Sequence, residues 1–176
     1  MSMAHWLSAV VLGSAYVLAS TVGAAAEVDK ADAEFMQKAA LSGLMEIEAS
    51  HIAQKSADSD NIKAYAEQMI RDHTAVSKLQ NELALEKDIL LPTTLGPQEQ
   101  TRLDQLQAMQ GEAFDLAYIR QFGVAAHEEA VALFEGASRG AADVDIKAFA
   151  AQTLPALRAH LQLAQTLQDQ LPRDGR

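Results

Sequence analysis

The chain contains one segment twice, first as IKAYAEQM at residues 62–69 and again as IKAFAAQT at residues 146–153. The copies match at six of eight positions when the aromatic pair Tyr65 and Phe149 is counted. Apolar residues in each copy recur at the three- and four-residue spacing of one helix face. A histidine on the same face follows each copy, His73 after the first and His160 after the second. The repeat therefore predicts a duplicated helix pair in which each copy leads to an inward-facing histidine.

The composition predicts a single all-α domain. The chain has 176 residues with 49% hydrophobic content, which is enough for one core. Helix-forming residues such as alanine, leucine, glutamate and glutamine dominate, and aromatic residues make up only 5%. The net charge of −10 predicts a surface that repels nucleic acid and anionic lipid, so we expect neither as a partner. Such a surface does not repel cations.

Residues 1–26 have the pattern of a signal peptide. They contain no Asp, Glu, Lys or Arg, and an apolar run from Trp6 to Val22 precedes the small residues 23–26. We expect export, with cleavage before Glu27. An uncleaved membrane anchor is the alternative, because the run approaches the ~20 residues that span a bilayer. Residues 27–176 then form the domain, which we do not expect to insert into a membrane and which, without cysteine, has no disulfide.

Periodicity and turn residues predict four long helices, at about 32–56 with Asp32 as N-cap, 61–87, 110–138 and 143–171. Short turns join the first helix to the second and the third to the fourth. Between these two hairpins, a connection of about twenty residues contains Pro92, Gly96 and Pro97 and one short helix near 98–109. We therefore predict a ferritin-like four-helix bundle of two duplicated hairpins with a long crossover, and a simple up-down bundle is the alternative.

Polar residues on the inward stripes indicate a candidate metal site. Glu46, His73 and His160 lie near the centres of the stripes of the first, second and fourth helices. The third helix has two buriable stripes, so that either His127 or Glu128 faces the axis. With a crossover, a rise of ~1.5 Å per residue places the histidines and Glu46 at similar heights. Imidazole and carboxylate are ligands for zinc, iron, copper or manganese. The predicted metal ligands are Glu46, His73, His127, Glu128 and His160, with Asp72 supporting them from the edge.

The same residues also fit a second interpretation, in which they only hydrogen-bond one another and Tyr65, Tyr118 or Gln121. The protein would then be a non-enzymatic envelope protein with a structural or stress-related role. A dinuclear iron site requires Glu-x-x-His on two helices, and only Glu48 and His51 fit that spacing, on an outward face. A single ion is therefore the metal hypothesis. No phosphate-binding loop or nucleophile arrangement is present in the sequence, and no reaction is predicted.

The motifs together resemble the exported bacterial family known as domain of unknown function 4142. They are Phe35 to Ala53, residues 63–69 with Asp72-His73-Thr74, Phe114-Asp115 with Tyr118 and His127-Glu128, and residues 147–150 with Thr153-Leu154-Pro155 and His160. The resemblance implies a ferritin-like bundle in the periplasm or cell envelope and a loose labelling as an outer membrane protein. The resemblance implies that the candidate ligands and Asp72 belong to the family's motifs, whereas His51 does not. It implies no established activity. A homo-oligomer or an envelope protein partner remains open.

Overall fold

The computed structural model describes residues 28–171, and within that range it contains helices and no strand. The elements are α1 (Lys30–Ser56), α2 (Asp60–Glu86), α3 (Pro97–Gln107), α4 (Gly111–Tyr118), a π-helical segment (Ile119–Ala125), α5 (Ala126–Gly140) and α6 (Val144–Gln170). The prediction of an all-α fold is confirmed. The predicted signal peptide lies outside the described residues. No helix in the described range is long and apolar enough to cross a membrane.

Two antiparallel hairpins build the bundle. The first is α1 with α2, and the second is the continuous run of α4, the π-helical segment and α5 with α6. The repeated segment begins at the third residue of the second helix in each hairpin, where Ile62 and Ile146 are both buried. Asp143 caps α6 by accepting hydrogen bonds from the backbone N–H groups of Asp145 and Ile146. Pro155 lies on the exposed face of α6, where the missing backbone donor is next to water. The duplicated hairpin is therefore as predicted.

The long connection between α2 and α4 crosses the length of the bundle. Asp115 in α4 accepts hydrogen bonds from the backbone N–H groups of Asp58 (3.1 Å) and Ser59 (2.8 Å), in the turn between α1 and α2. Consequently α4 begins at the end of the bundle where α2 also begins, whereas α2 ends at the opposite end. The connection has to return along the bundle and carries α3 with it. This confirms the predicted ferritin-like crossover and rejects the up-down alternative.

A matching contact lies at the other end of the bundle. Asp32 accepts hydrogen bonds from the backbone N–H groups of Ala142 (3.3 Å) and Asp143 (2.7 Å), in the turn between α5 and α6. We expected Asp32 to cap the first helix, but the cap is Asp29, which accepts from the N–H of Ala31. Asp32 is buried within α1 instead. Each hairpin thus holds the turn of the other hairpin through a buried aspartate.

The apolar core is divided into two clusters by a polar layer. One cluster surrounds Tyr65 and Tyr118 near the α1–α2 turn, and the other surrounds Phe35 and Phe149 near the α5–α6 turn. The connection packs Ile89 and Leu91 against the second cluster and then Leu95, Leu103, Leu106 and Met109 against the first. Between the clusters lie the buried side chains of Glu46, Ser50, His73, His127 and His160. A layer of polar side chains at mid-bundle is costly to bury unless it has partners or a ligand.

Candidate metal centre

Three histidines from three helices meet in the polar layer. His73 comes from α2, His127 from α5 and His160 from α6, and they are 7%, 1% and 4% exposed. One ring nitrogen from each lies within 4.8 Å of those of the other two. Tetrahedral zinc with Zn–N distances of about 2.0–2.1 Å requires ligand nitrogens about 3.3 Å apart. The nitrogens of any two rings therefore need to come closer by at most about 1.5 Å for all three to bind one ion.

The π-helical segment determines that His127, and not Glu128, faces the axis. Before it the buried positions are Phe114 and Tyr118, and after it they are His127, Ala130 and Phe134. A π turn contains more residues than an α turn. The segment therefore moves the inward face from the predicted stripe that contains Glu128 to the one that contains His127. Glu128 is exposed as a result.

A glycine lies where the same segment packs against α6. A Cβ on Gly123 would lie 2.7 Å from Cδ1 of Ile119 and 3.1 Å from Cβ of Ala164 in α6. A side chain at this position would require the Ile119 side chain to move and α6 to shift by a few tenths of an ångström, so glycine fits the close approach without adjustment. The close approach brings the start of α5 next to α6, and the His127 and His160 ring centroids are 5.4 Å apart.

Hydrogen bonds fix the tautomers of two of the three rings. Nδ1 of His127 is 3.2 Å from the backbone oxygen of Phe122, and Nε2 of His160 is 3.0 Å from Oδ2 of Asp72. A carbonyl and a carboxylate can only accept, so each of these nitrogens carries the proton and donates it. The other nitrogen of each neutral ring then has a free lone pair. A metal-binding histidine is oriented in this way, by a carbonyl or carboxylate on its far side.

The free nitrogens are buried without a hydrogen-bond partner. Nε2 of His73, Nε2 of His127 and Nδ1 of His160 are three of the five side-chain atoms in this state within residues 28–171. Buried polar atoms are normally paired, because an unpaired one costs roughly 1–3 kcal/mol. Three such atoms on adjacent rings of one layer could serve as ligands for a cation.

Burial keeps the imidazoles neutral. It lowers the pKa of His73 from 6.5 to about 3, with the neighbouring His127 and His160 adding to the effect. It lowers the pKa of His127 to about 4, and His160 adds to that shift. Burial also lowers the pKa of His160, although the hydrogen bond to Asp72 opposes it. At neutral pH each ring therefore has one unprotonated nitrogen, and a metal ion can bind that nitrogen without displacing a proton.

Asp72 is ionised beside this cluster. Burial opposes its ionisation, but hydrogen bonds with His160 and Gln68 outweigh that effect and hold the pKa of Asp72 below 3.8. Asp72 is half-buried at the edge of the layer and reaches His160 alone among the three rings. The sequence predicted that Asp72 supports a metal site from the edge, and in the structure Asp72 contacts the cluster through His160.

Glu46 lies next to the three histidines but is not one of the group. Its Oε1 is 4.0 Å from Nδ1 of His127, and its Oε2 has no hydrogen-bond partner. Burial raises the pKa of Glu46 well above 4.5, and Arg102 on α3 opposes that shift. Because burial lowers the pKa of His127 to about 4, its ring is neutral at neutral pH and the contact is not an ion pair there. The structure thus places Glu46 beside His127, on the side covered by the crossover.

Two tyrosines and a serine complete the layer. Tyr118 and Ser50 share a hydrogen bond of 2.8 Å, whereas the buried hydroxyl of Tyr65 has no partner. The Tyr65 ring packs against His127 at 6.5 Å between centroids. Burial raises the pKa of both tyrosines, so both stay protonated. Ser50 was not predicted as part of this layer, although its position one turn beyond Glu46 on the α1 stripe was a signal for it.

Hollows approach the layer from two sides. A cavity of about 40 Å³ among α1, α2, α5 and α6 is lined by His73, His160 and Asp72. A second hollow of about 220 Å³ reaches Glu46 and is lined by Arg102 and Phe122. His51, the remaining histidine of the described range, is exposed in a separate groove with Glu48. Of these hollows, only the cavity of about 40 Å³ is lined by any of the three clustered histidines.

The fold and this layer together define a helical bundle with a crossover and a buried cluster of three histidines. The chain belongs to the family described as Domain of unknown function (DUF4142), whose model matches residues 17–167. This confirms the resemblance found in the sequence. No curated protein is similar enough in sequence to count as a match.

Solved structures of another family, DUF305, share the fold. A DUF305 fragment from Deinococcus radiodurans is 10% identical with a TM-score of 0.72, covering 82% of this chain and 99% of that one. A DUF305 protein from Streptomyces coelicolor, described as a predicted secreted protein, is 15% identical with a TM-score of 0.67, covering 83% and 97%. At these identities the likeness shows the helical-bundle fold alone.

Proposed function

We propose that this protein is an exported helical bundle that binds one divalent transition-metal ion through His73, His127 and His160. The observation that carries the proposal is the layer of three buried, neutral imidazoles, each with a nitrogen that lacks a hydrogen-bond partner. Three imidazoles are a known protein ligand set for zinc, with the fourth position left to water or a substrate.

The donor set also indicates which metals fit. Imidazole suits zinc, copper, iron and nickel, whereas manganese prefers carboxylate and water ligands. Glu46 is the buried carboxyl group nearest the rings, and burial favours its neutral form. We therefore expect zinc or copper to bind more tightly than manganese. When bound, the ion supplies a Lewis-acid centre, and the protein supplies three fixed nitrogens.

A purely structural polar layer fits these contacts less well. That interpretation requires the buried histidines, Glu46 and the tyrosines to satisfy one another. Instead, Oε2 of Glu46 and the hydroxyl of Tyr65 are unpaired along with the three ring nitrogens. Only Ser50 and Tyr118 form a closed pair within the layer. Replacing buried polar groups with apolar residues of similar volume is often neutral or stabilising, so packing alone does not call for such a layer.

Export rests on separate grounds. Residues 1–26 have signal-peptide character, and a neighbour with the same fold is described as a predicted secreted protein. We place the mature protein in the periplasm or cell envelope, where its acidic surface meets free cations. Cell fractionation with amino-terminal sequencing tests this, with Glu27 expected as the first residue. An intact Met1 in a cytosolic fraction would contradict export.

Metal analysis of protein purified without an affinity tag tests the binding itself. The chain is stripped with chelator, reloaded separately with zinc, copper, iron and manganese, and passed through a desalting column before elemental analysis. We expect about one equivalent of the preferred metal. His73→Ala and His160→Ala should each abolish stable binding, while His51→Ala on the exposed face of α1 is the matched control and should bind as the wild type does.

Melting curves give an independent measurement. A metal that binds only the folded chain adds about 2.7 kcal/mol of stability at a hundred times its Kd. We expect the melting temperature to rise with metal concentration in the wild type and in His51→Ala, and to stay constant in His73→Ala. Less than a tenth of an equivalent of every metal in the reloaded wild type refutes the proposal.

A further inference from the structure

We propose that the metal centre keeps one coordination position open to a small anionic ligand of up to three heavy atoms, which reaches it through the cavity among α1, α2, α5 and α6. This inference rests on the proposed metal binding and adds the class of molecule that binds there. The cavity is about 40 Å³, and one water needs about 10–15 Å³ by the same kind of measure. It therefore has room for two or three waters or one small ligand.

The cavity runs from the surface to the histidines. His73 and His160 line its buried part, and the exposed Ala156 with the half-buried Gly43 and Ser77 line its outer part. His127 is not in its wall. A ligand that enters from this side meets the ion between the His73 and His160 rings. Three protein nitrogens and an open path to a fourth position are the arrangement of a site that exchanges ligands, rather than of a closed structural site.

The charges in the cavity favour an anion. Three neutral imidazoles leave both positive charges of a divalent ion uncompensated. Asp72 is the one carboxylate in the cavity wall, and it is already bonded to His160. Much of the remaining wall is apolar, including Ala39, Val76 and Phe134. In such a wall of low polarity, attraction between the ion and an anion is weakly screened.

Two polar side chains of the cavity wall already donate hydrogen bonds to the protein backbone. Nε2 of Gln80 donates to the backbone oxygen of Met36 at 2.7 Å, and Oγ1 of Thr153 donates to that of Phe149 at 2.9 Å. The Thr153 proton is thus engaged, whereas Gln80 keeps its second amide proton. The metal supplies the main attraction for the anion, and the hydroxyls of Ser42 and Ser77 in the wall can donate to it in addition. A protonated ligand such as hydroxide or water can in addition donate to the oxygen of Thr153.

Gly43 provides a way to close the path without touching the ligands. A Cβ built there lies 3.5 Å from Oγ of Ser77, an ordinary contact, so a Cβ is tolerated beside the opening. Gly43→Leu should therefore narrow the outer part of the cavity. Gly136→Leu is the matched control, because Gly136 is an exposed helical glycine whose Cβ would meet nothing within 4 Å.

The test uses the full chain loaded with Co²⁺, whose visible spectrum reports its coordination, and azide as the probe. The bound cobalt is first measured by elemental analysis. We expect azide to change the wild-type spectrum with saturation, and Gly43→Leu to bind the same amount of cobalt while its azide affinity falls at least tenfold. Gly136→Leu should behave as the wild type. If Gly43→Leu lowers the helix content, Ser77→Val narrows the same opening from α2 and replaces it.

Two results overturn the inference while leaving the proposed function intact. One is a cobalt-loaded wild type whose spectrum does not respond to azide, which means that the coordination sphere is closed. The other is an azide affinity in Gly43→Leu equal to that of the control, which means that ligands arrive by another route. Failure of the wild type to bind cobalt or any of the four metals above overturns both proposals, and the elemental analysis alone shows it.

Discussion

Replacing His73 with leucine should make the metal-free protein more resistant to acid. In the folded chain burial lowers the pKa of His73 from 6.5 to about 3, so the unfolded chain binds an extra proton between these values. Stability from the neutral ring is therefore fully present above pH 6.5 and is lost as the pH falls towards 3. From pH 6.5 to 5.0 the loss is about 2 kcal/mol, at about 1.36 kcal/mol per pH unit.

Leucine is similar in size and does not titrate. At pH 7.5 His73→Leu should therefore be as stable as the wild type or up to about 1 kcal/mol more stable, because the unpartnered Nε2 is no longer buried. At pH 5.0 its advantage should be larger by about 2 kcal/mol. The measurement is urea unfolding followed by circular dichroism at both pH values, with chelator present. The same variant should bind no metal.

The exposed His51 supplies the control. His51→Leu makes the same chemical change on α1, where the ring stays in contact with water, and should leave the pH dependence as in the wild type. The reasoning fails if His73→Leu unfolds at lower urea than the wild type at pH 5.0. That result would mean that the His73 ring makes a stabilising polar interaction in the metal-free chain, as a structural polar layer requires.

Three further variants test the elements that hold the site. Asp115→Ala removes a buried acceptor from two backbone N–H groups and should lower the unfolding free energy in urea by about 2–4 kcal/mol, whereas Asp58→Ala in the same turn should cost little. An equal effect of the two would contradict the role of the Asp115 carboxylate. Gly123→Val should lower stability by about 1–3 kcal/mol in the same assay, and no loss would mean that the π segment has room for a side chain. Asp72→Asn should weaken metal binding roughly 10–100-fold in a chelator competition, with Glu67→Gln unchanged; equal affinities would remove Asp72 from the site.

The regular helices made much of the site predictable. In α1, α2 and α6 a constant period of 3.6 residues carries over several turns, so the inward positions of Glu46, His73 and His160 followed from the stripes. The heights along the bundle followed from the rise per residue once the crossover was assumed. That assumption depended on the length of the connection, and the contact of Asp115 with the first turn confirms it.

The third long helix was ambiguous because its period changes. One α-helical period was applied across a stretch in which residues 119–125 are π-helical, so neither stripe was right over its whole length. A signal was present: Tyr118 and Phe122 are four residues apart, and Phe122 and His127 are five apart. A five-residue step is the spacing of a π turn. Interpreting this five-residue spacing as a π turn would have predicted that His127, and not Glu128, faces the bundle axis.

The repeat explains the hairpins but not the histidine cluster. His73 lies eleven residues after Ile62, whereas His160 lies fourteen after Ile146. The position in the second copy that corresponds to His73 is therefore Leu157, which also lines the cavity. The two halves thus share their architecture, and the site arises from positions at which they differ.

The reciprocal bonds of Asp32 and Asp115 make each half of the chain an incomplete unit. In a hairpin on its own, the backbone N–H groups of the turn lack an acceptor and the buried aspartate lacks donors. When two hairpins pair, the aspartate of each one accepts from the turn of the other. A chain cut within the crossover should therefore regain its structure only when both fragments are mixed. Two copies of one such hairpin could pair by the same exchange, because each copy would supply the acceptor for the turn of the other.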